Sequence, residues 1–146
     1  MLGWVKSLQD LDVANEDFRN VLWTGEHSQL AIMSLNVDEA IGNEVHKVDQ
    51  FIFIEKGQVR VELRTEESAN PEVHSLDSGG AVIVPAGTWH NVINSGDSQV
   101  KLFTVYSPAN DLPHEIDKTK ADAEKREAPK GTKTQKEFNP FLSDIR

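Results

Sequence analysis

Residues 79–94 read Gly-Gly-Ala-Val-Ile-Val-Pro-Ala-Gly-Thr-Trp-His-Asn-Val-Ile-Asn, and this stretch decides the fold. Its apolar run Ala81–Val84 has the length and composition of a buried strand. Pro85 ends that strand because proline has no N–H to donate, and Gly87 permits a tight turn because glycine tolerates positive φ. A second apolar strand follows directly and carries His90. The stretch therefore predicts a strand, a sharp turn and a second strand that holds one imidazole at a fixed position.

The rest of the chain has the pattern of an all-β protein. Short apolar or alternating segments recur between turn signals, and no helical period appears before the C-terminal part. The segments outside the opening stretch are residues 18–23, 29–35, 51–54, 59–64, 73–76 and 100–106. Residues 1–17 are a mixed lead-in that fits one strand or a loose helical turn. Many short strands of this kind predict a β-barrel or sandwich.

Residues 51–54 are apolar at every position, whereas residues 59–64 alternate between apolar and charged side chains. A strand that is apolar on both faces is covered on both faces. The cover of its outer face must come from a second sheet, from the N-terminal segment or from another subunit. The pattern therefore predicts a homodimer as one way to bury this surface.

Composition limits the classes of partner. The 146-residue chain has no cysteine, which excludes disulfides, thiolate metal sites and catalytic cysteines and fits a cytoplasmic location. Its net charge of −9 argues against nucleic acid or an anionic membrane as a partner. No apolar run approaches the roughly 20 residues that span a bilayer. We therefore expect a cytoplasmic protein whose partner is a small molecule.

The composition changes after Pro113, where charged residues become dense and apolar ones scarce. We therefore expect a barrel domain over residues 1–114 and a charged extension, partly helical or disordered, over residues 115–146. Residues 118–127 have the signals of one exposed helix. Apolar side chains return at helical spacing in the last stretch, at Phe138, Phe141, Leu142 and Ile145. That stretch is either a solvated tail or a segment that docks on its own barrel or on a second subunit.

Four side chains have the chemistry of a metal site. Glu44 and His46 are two residues apart, so on a strand they point to the same face. Gln50 begins the next strand, and His90 comes from the opening stretch. Two imidazoles, one carboxylate and one amide carbonyl suit Zn, Mn, Fe(II), Co or Ni and disfavour Cu(I). Two histidines and one carboxylate are also a ligand set of non-haem iron sites.

Each of these residues has a plainer interpretation. His90 and His46 could be core histidines satisfied by the backbone, and Gln50 could tie two strands together through its amide. Glu44 is harder to explain in that way, since a buried lone carboxylate is costly without a partner. One carboxylate on a divalent ion leaves a net charge of about +1, which favours an anionic ligand or a metal-bound hydroxide.

The opening stretch resembles the second sequence motif of the cupin superfamily. It matches that motif at every fixed position, which are Gly79, Pro85, Gly87, His90 and Asn94. The resemblance covers residues 18–113 and implies a double-stranded β-helix, the jelly-roll cupin barrel.

Residues 44–57 look like the first cupin motif, which reads His-x-His, three or four residues, Glu, six residues, Gly. When the two are aligned on Gly57, Gln50 lies where the family has Glu. His46 then takes the place of the second His and Glu44 that of the first, while the opening Gly of the motif falls on Asp38. The resemblance therefore implies a metal site made of Glu44, His46, Gln50 and His90.

The chain also resembles small bacterial single-domain cupins that are often called mannose-6-phosphate isomerase-like. This resemblance implies a metal-dependent enzyme, such as a sugar-phosphate isomerase or epimerase, that acts on a small anionic or polyhydroxylated molecule. The alternatives are an Fe-dependent dioxygenase and a non-catalytic barrel that binds a small molecule. An isomerase needs a base to move a proton. The candidates for this role are Glu44, Tyr106 and Lys101.

Overall fold

Strands dominate the computed structural model, which describes residues 2–127. Its elements, in chain order, are α1 (Leu8–Ala14), β1 (Arg19–Thr24), β2 (Gln29–Leu35), β3 (Asp49–Lys56), β4 (Val59–Arg64), β5 (Glu72–Leu76), β6 (Ala81–Val84), β7 (Trp89–Asn94), β8 (Val100–Ser107), β9 (Ile116–Asp117) and α2 (Lys120–Glu127). The predicted strand 29–35 is confirmed to the residue as β2. The predicted strands 18–23 and 100–106 are confirmed, each displaced or extended by one residue.

The strands form two antiparallel sheets. The large sheet has the order β6-β3-β8-β2-β1-β9, and the small sheet has the order β5-β4-β7. Ile52 and Leu102 of the large sheet and Val61 and Val92 of the small sheet belong to one buried apolar cluster. The two sheets therefore pack around a common core, and the predicted all-β jelly roll is confirmed.

The prediction that Ala81–Val84 is a buried strand is wrong in one respect. The segment is strand β6, but it lies at the edge of the large sheet, where it pairs only with β3 among the described strands. Val84 is buried, whereas the side chain of Ile83 points to the outer face and the residue is 63% exposed. An apolar run shows that a strand is hydrophobic on both sides, but it does not show that both sides are covered within one chain.

The strand at residues 51–54 shows how the outer face is covered. Ile52 and Ile54 are fully buried in the core, while Phe51 and Phe53 are half-buried on the other face. The ring of Phe53 stacks on Phe103 of β8 with a centroid distance of 5.1 Å. Helix α1, which forms from the lead-in, packs against β2, β3 and β8. The N-terminal segment thus supplies part of the predicted cover, and an apolar surface remains beside it.

The described part of the C-terminal segment is attached to the barrel. Strand β9 pairs with β1, and the predicted helix at 118–127 is confirmed as α2, although its Ala123 is only 3% exposed. Both oxygens of Asp117 accept hydrogen bonds from Arg126, at 3.1 and 2.9 Å. The Arg19 guanidinium lies 3.6 Å from the same carboxylate. Residues on both sides of the predicted domain boundary at residue 114 therefore contact the barrel.

Two remaining observations concern the ends and the helices. Four apolar residues predicted to have helical spacing lie outside the described residues. They are Phe138, Phe141, Leu142 and Ile145. Helices α1 and α2 have 7 and 8 residues, so neither described helix has the length to cross a lipid bilayer.

Asp117→Asn tests how strongly the segment is attached. The substitution removes the negative charge that two guanidinium groups share in a site where the Asp117 side chain is 4% exposed. We expect chemical denaturation to show a loss of about 3 kcal/mol in the free energy of unfolding, since breaking a buried ion pair leaves an uncompensated charge. The control is Lys118→Ala, because Lys118 is 75% exposed in its pair with Asp17 and should change the free energy by less than about 0.5 kcal/mol. Equal effects of the two substitutions would contradict this account.

Candidate metal centre

Two backbone hydrogen bonds join Glu44 directly to His90. The N–H of each residue donates to the carbonyl of the other at 2.9 Å, which makes an isolated antiparallel bridge. Residues directly opposite each other in such a bridge place their side chains on the same face, a few ångströms apart. The expectation that Glu44 and His46 lie on a regular strand is therefore wrong, because Glu44 forms an isolated bridge and His46 forms none. Their side chains nevertheless reach the same site.

The turn before His90 is fixed to the loop that carries His46. Gly87 has φ +84°, and its N–H donates to the carbonyl of His46 at 2.8 Å. The N–H of Ala86 donates to the Asp49 carboxylate at 2.9 Å. The predicted need for glycine at position 87 is confirmed, since an L side chain rarely adopts this backbone conformation. The turn and the loop thus hold the two histidines in a fixed relation.

His90 presents one ring nitrogen to the barrel interior. Its Nδ1 lies 3.0 Å from the carbonyl oxygen of Thr88, which can only accept, so Nδ1 carries the proton. Nε2 is then left with its lone pair. This atom is buried and has no hydrogen-bond partner within residues 2–127. A buried polar atom without a partner is costly, and a metal ion would satisfy it.

Glu44, His46 and His90 converge. Their potential ligand atoms all lie within 4.8 Å of one another. Glu44 Oε1 is 3.2 Å from Nε2 of His46 and 3.7 Å from Nε2 of His90. The two imidazole rings are 5.1 Å apart between centroids. Two imidazoles and one carboxylate at this separation suit a borderline divalent cation, so the donor set fits such an ion.

The charges at this site are coupled. Burial raises the pKa of Glu44, but the charge of His46 and its hydrogen bond to Glu44 outweigh burial and hold that pKa well below its ordinary value. Burial lowers the pKa of His46, but the Glu44 carboxylate and the Asp111 carboxylate outweigh burial and raise it. Without a metal ion, the carboxylate therefore stays ionised and favours a proton on His46.

Arg19 and Asp111 complete the electrostatic surroundings, and the sequence did not single them out. Arg19 lies 3.7 Å from the Asp111 carboxylate, and both side chains are 4% exposed. Gln29 holds Asp111 in place, because its amide accepts from the Asp111 N–H and donates to the Asp111 carbonyl. The only available signal was that Arg19 shares a strand face with the buried Val21, by the alternation of residues 18–23.

Gln50 is a buried residue of β3. Its side-chain nitrogen donates to the Thr104 hydroxyl at 2.9 Å, which ties β3 to β8 as the plainer interpretation expected. Its Oε1 is buried and has no hydrogen-bond partner in the described part of the chain. Gln50 is paired with Tyr106, whose ring meets His46 edge-on at a centroid distance of 5.7 Å. Tyr106 therefore neighbours both Gln50 and His46.

The prediction that Lys101 could act as the base is wrong. It alternates with Leu102 of the core and so faces the outside of the large sheet, where α1 covers it. Its ammonium group donates to the Asn15 carbonyl and to the Ser34 hydroxyl instead. Tyr106 is 1% exposed and faces the same side as Leu102, toward His46. Tyr106 and Glu44 therefore remain as candidates.

Glu44→Gln tests the coupling in the metal-free protein. The substitution removes the negative charge beside His46, so the pKa of His46 should fall from its raised value. Folding raises the pKa of His46. The pairing of His46 with Glu44 therefore stabilises the protein fully below pH 6.5, and this stabilisation is lost as pH rises through the raised pKa. Folding lowers the pKa of Glu44. The stabilisation that this carboxylate contributes is therefore present above pH 4.5 and is lost as pH falls through the lowered pKa.

An NMR titration of the His46 ring protons measures this shift. The control is Glu26→Gln, which removes a carboxylate that is 66% exposed and pairs with His27. A His46 pKa that stays unchanged in the Glu44 variant would show that the two groups are not coupled.

Comparison with known proteins gives the family. The Cupin domain model matches residues 31–106, more than half of the chain. The Bacillus subtilis protein YrkC, described as uncharacterized, is 45% identical over 111 residues. That alignment covers 75% of this chain and 59% of YrkC, so the chain spans less than two thirds of this relative.

Solved structures agree with the fold. A crystal structure of a Bacillus halodurans protein has a TM-score of 0.80 and 36% sequence identity, and the match covers 82% of this chain and 92% of that one. A Methanocaldococcus jannaschii protein, described as an RmlC-like cupin with a double-stranded β-helix, has a TM-score of 0.59 and 20% identity. That match covers 74% of this chain and 93% of the other and supports the fold alone.

Proposed function

The chain belongs to the cupin family, and from this premise we propose that it holds one divalent metal ion on Glu44, His46 and His90. The buried Nε2 of His90 is the observation that carries the proposal. The Thr88 carbonyl fixes the tautomer that leaves this nitrogen free to bind, as backbone partners of metal-binding histidines commonly do. Glu44 is ionised at the same place and supplies the negative charge.

Gln50 is the fourth donor of this proposal. Its buried Oε1 would gain the partner that it lacks in the described part of the chain, while its nitrogen keeps the bond to Thr104. An amide oxygen is a neutral donor, so the site has one anionic ligand in total. This donor set favours Zn, Mn, Fe(II), Co or Ni.

We propose that the site acts on a small anionic or polyhydroxylated molecule, as a sugar-phosphate isomerase or epimerase does. A bound divalent ion polarises a carbonyl or hydroxyl pair of its ligand, and a net charge of about +1 favours an anionic one. Tyr106 is the base of this proposal, supported by its burial in the interior and the contact of its ring with His46. The net charge of −9 supports a small-molecule partner over nucleic acid or membrane, and the lack of cysteine supports a cytoplasmic location.

Fe-dependent dioxygenation is the second candidate function. The observation that favours it is the composition of the converging group, since two histidines and one carboxylate are the ligand set of many non-haem iron oxygenases. The identity of the metal therefore decides between the two reactions.

Metal retention tests the site. Protein purified without added ions and then titrated with Zn or Mn should retain close to one ion per chain, measured by elemental analysis after dialysis. His90→Ala should lower the affinity at least about 100-fold, because it removes one of the ligands that converge, while the circular dichroism spectrum stays that of a β-protein. The matched control is His74→Ala, a histidine on β5 whose side chain is 53% exposed. Retention by the His90 variant equal to that of the control would contradict the proposed site.

Activity tests the reaction separately. The metal-loaded protein is incubated with an aldose 6-phosphate, and NMR follows the conversion to the ketose, while an electrode follows oxygen consumption by the iron-loaded form. Conversion that Tyr106→Phe lowers supports the isomerase, and oxygen consumption with iron supports the dioxygenase. A metal-loaded protein that binds such a ligand without either reaction would instead support the non-catalytic barrel.

We also propose that the chain forms a homodimer through the outer face of its large sheet. The half-buried rings of Phe51, Phe53 and Phe103 form a cluster there, and the exposed Ile83 lies on the neighbouring edge strand β6. A contiguous apolar face of this kind is a common mark of a protein–protein contact.

Ile83→Glu tests the dimer. A charge in the centre of an apolar interface should shift the protein toward monomer by at least about tenfold in dissociation constant, measured by light scattering across a dilution series. The control is Val73→Glu on β5, since Val73 is also an exposed apolar strand residue (51%) but belongs to the small sheet. A wild-type protein that is monomeric throughout the series would contradict the proposal.

A further inference from the structure

Helix α1 carries a buried carboxylate that the proposed metal chemistry does not use. Asp12 is 0% exposed, and neither of its oxygens has a hydrogen-bond partner within residues 2–127. Asp10 lies on the same helix but is exposed. A carboxylate in this position is strongly disfavoured when ionised, because it has lost water and gained no donor.

Lys101, the cation whose charge acts on Asp12, does not satisfy it because its hydrogens are already used. The three donors of Lys101 go to the Asn15 carbonyl, to the Ser34 hydroxyl at 3.2 Å and to a Glu16 oxygen at 3.4 Å. An ammonium group has three hydrogens, so none remains for a hydrogen bond to Asp12. Lys101 therefore contributes only its charge at a distance.

The charges that act on Asp12 come from two of the three strands beneath α1. Strand β8 contributes the positive Lys101, and strand β3 contributes the negative Glu55. Strand β2 has no titratable side chain and offers the hydroxyl of Ser34. Glu16, just after the helix, is bound to Lys101 and so reduces the positive charge that Asp12 experiences.

We propose that α1 is a pH-sensitive clasp on the outer face of the large sheet, docked firmly with Asp12 protonated and held more loosely when Asp12 is ionised. Burial and then Glu55 raise the pKa of this carboxyl from 3.8 to about 7, and Lys101 lowers it by a smaller amount. Because the pKa is raised by docking, the stabilisation is complete below 3.8 and is lost as pH rises through about 7. The docking equilibrium should therefore change about tenfold per pH unit between these values.

The clasp lies on the reverse side of strands that form the candidate site. Strand β3 carries Gln50, and strand β8 carries Thr104 and Tyr106 on the face opposite Lys101. Loosening of α1 would therefore release the back of both strands near neutral pH and above. The proposal does not rest on the proposed metal chemistry, since none of the groups at Asp12 is a metal ligand.

Amide hydrogen exchange tests the clasp through the helix amides of Leu11 and Asn15, which donate to Ser7 and Asp12 carbonyls. The full chain is compared with Asp12→Asn at pH 5, 6 and 7, so that the intrinsic effect of pH on exchange cancels in the ratio. We expect the ratio of wild-type to variant protection to fall about tenfold per pH unit as pH rises. Asp10→Asn is the matched control on the exposed side of the helix and should behave as the wild type at each pH.

A second measurement covers the case in which the Asp12 variant is poorly folded. The side-chain carboxyl carbon of Asp12 in the wild-type protein is titrated by ¹³C NMR. A midpoint near 7 supports the proposal. A midpoint near the ordinary value of 3.8, or a protection ratio that is the same at all three pH values, would overturn it.

Discussion

The reciprocal backbone hydrogen bonds between Glu44 and His90 are the constraint on which the candidate site depends. They join a loop to strand β7 outside any regular ladder and so fix the backbone of Glu44, while His46 contacts its carboxylate at 3.2 Å. A second bond, from Gly87 to the carbonyl of His46, fixes the other histidine to the turn that precedes His90. These backbone bonds therefore hold the segments from which three potential ligand atoms converge.

The barrel buries three carboxyl groups, and the cost of burying each one is offset in a different way. At the site, Glu44 is compensated by His46, and a divalent ion would take over that role. Asp117 is compensated by two guanidinium groups, which fasten the C-terminal segment to the barrel. Asp12 is not compensated and is therefore expected to be neutral when docked. The same cost of desolvation is thus met in three ways: at the candidate metal site, in a structural ion pair and by protonation of an acid.

Local patterns predicted the parts of the structure that neighbouring residues determine. An apolar segment predicted the bounds of β2, alternation predicted those of β4, and the spacing of Pro85, Gly87 and His90 predicted the turn and the imidazole. Exposure of Ile83 could not be predicted, because an apolar run does not reveal which strand ends a sheet. The environment of Arg19 could not be predicted either, because its acidic partners Asp111 and Asp117 are distant in sequence, and Asp117 belongs to the segment that was predicted as a charged extension.

The most direct test of the metal site is anomalous X-ray diffraction from crystals of the metal-loaded protein, recorded on both sides of the metal absorption edge. The account predicts one strong anomalous peak within about 2.0–2.3 Å of Nε2 of His90, an imidazole nitrogen of His46 and a carboxylate oxygen of Glu44. A peak elsewhere, or an interior occupied by water alone under metal-replete conditions, would contradict the central claim.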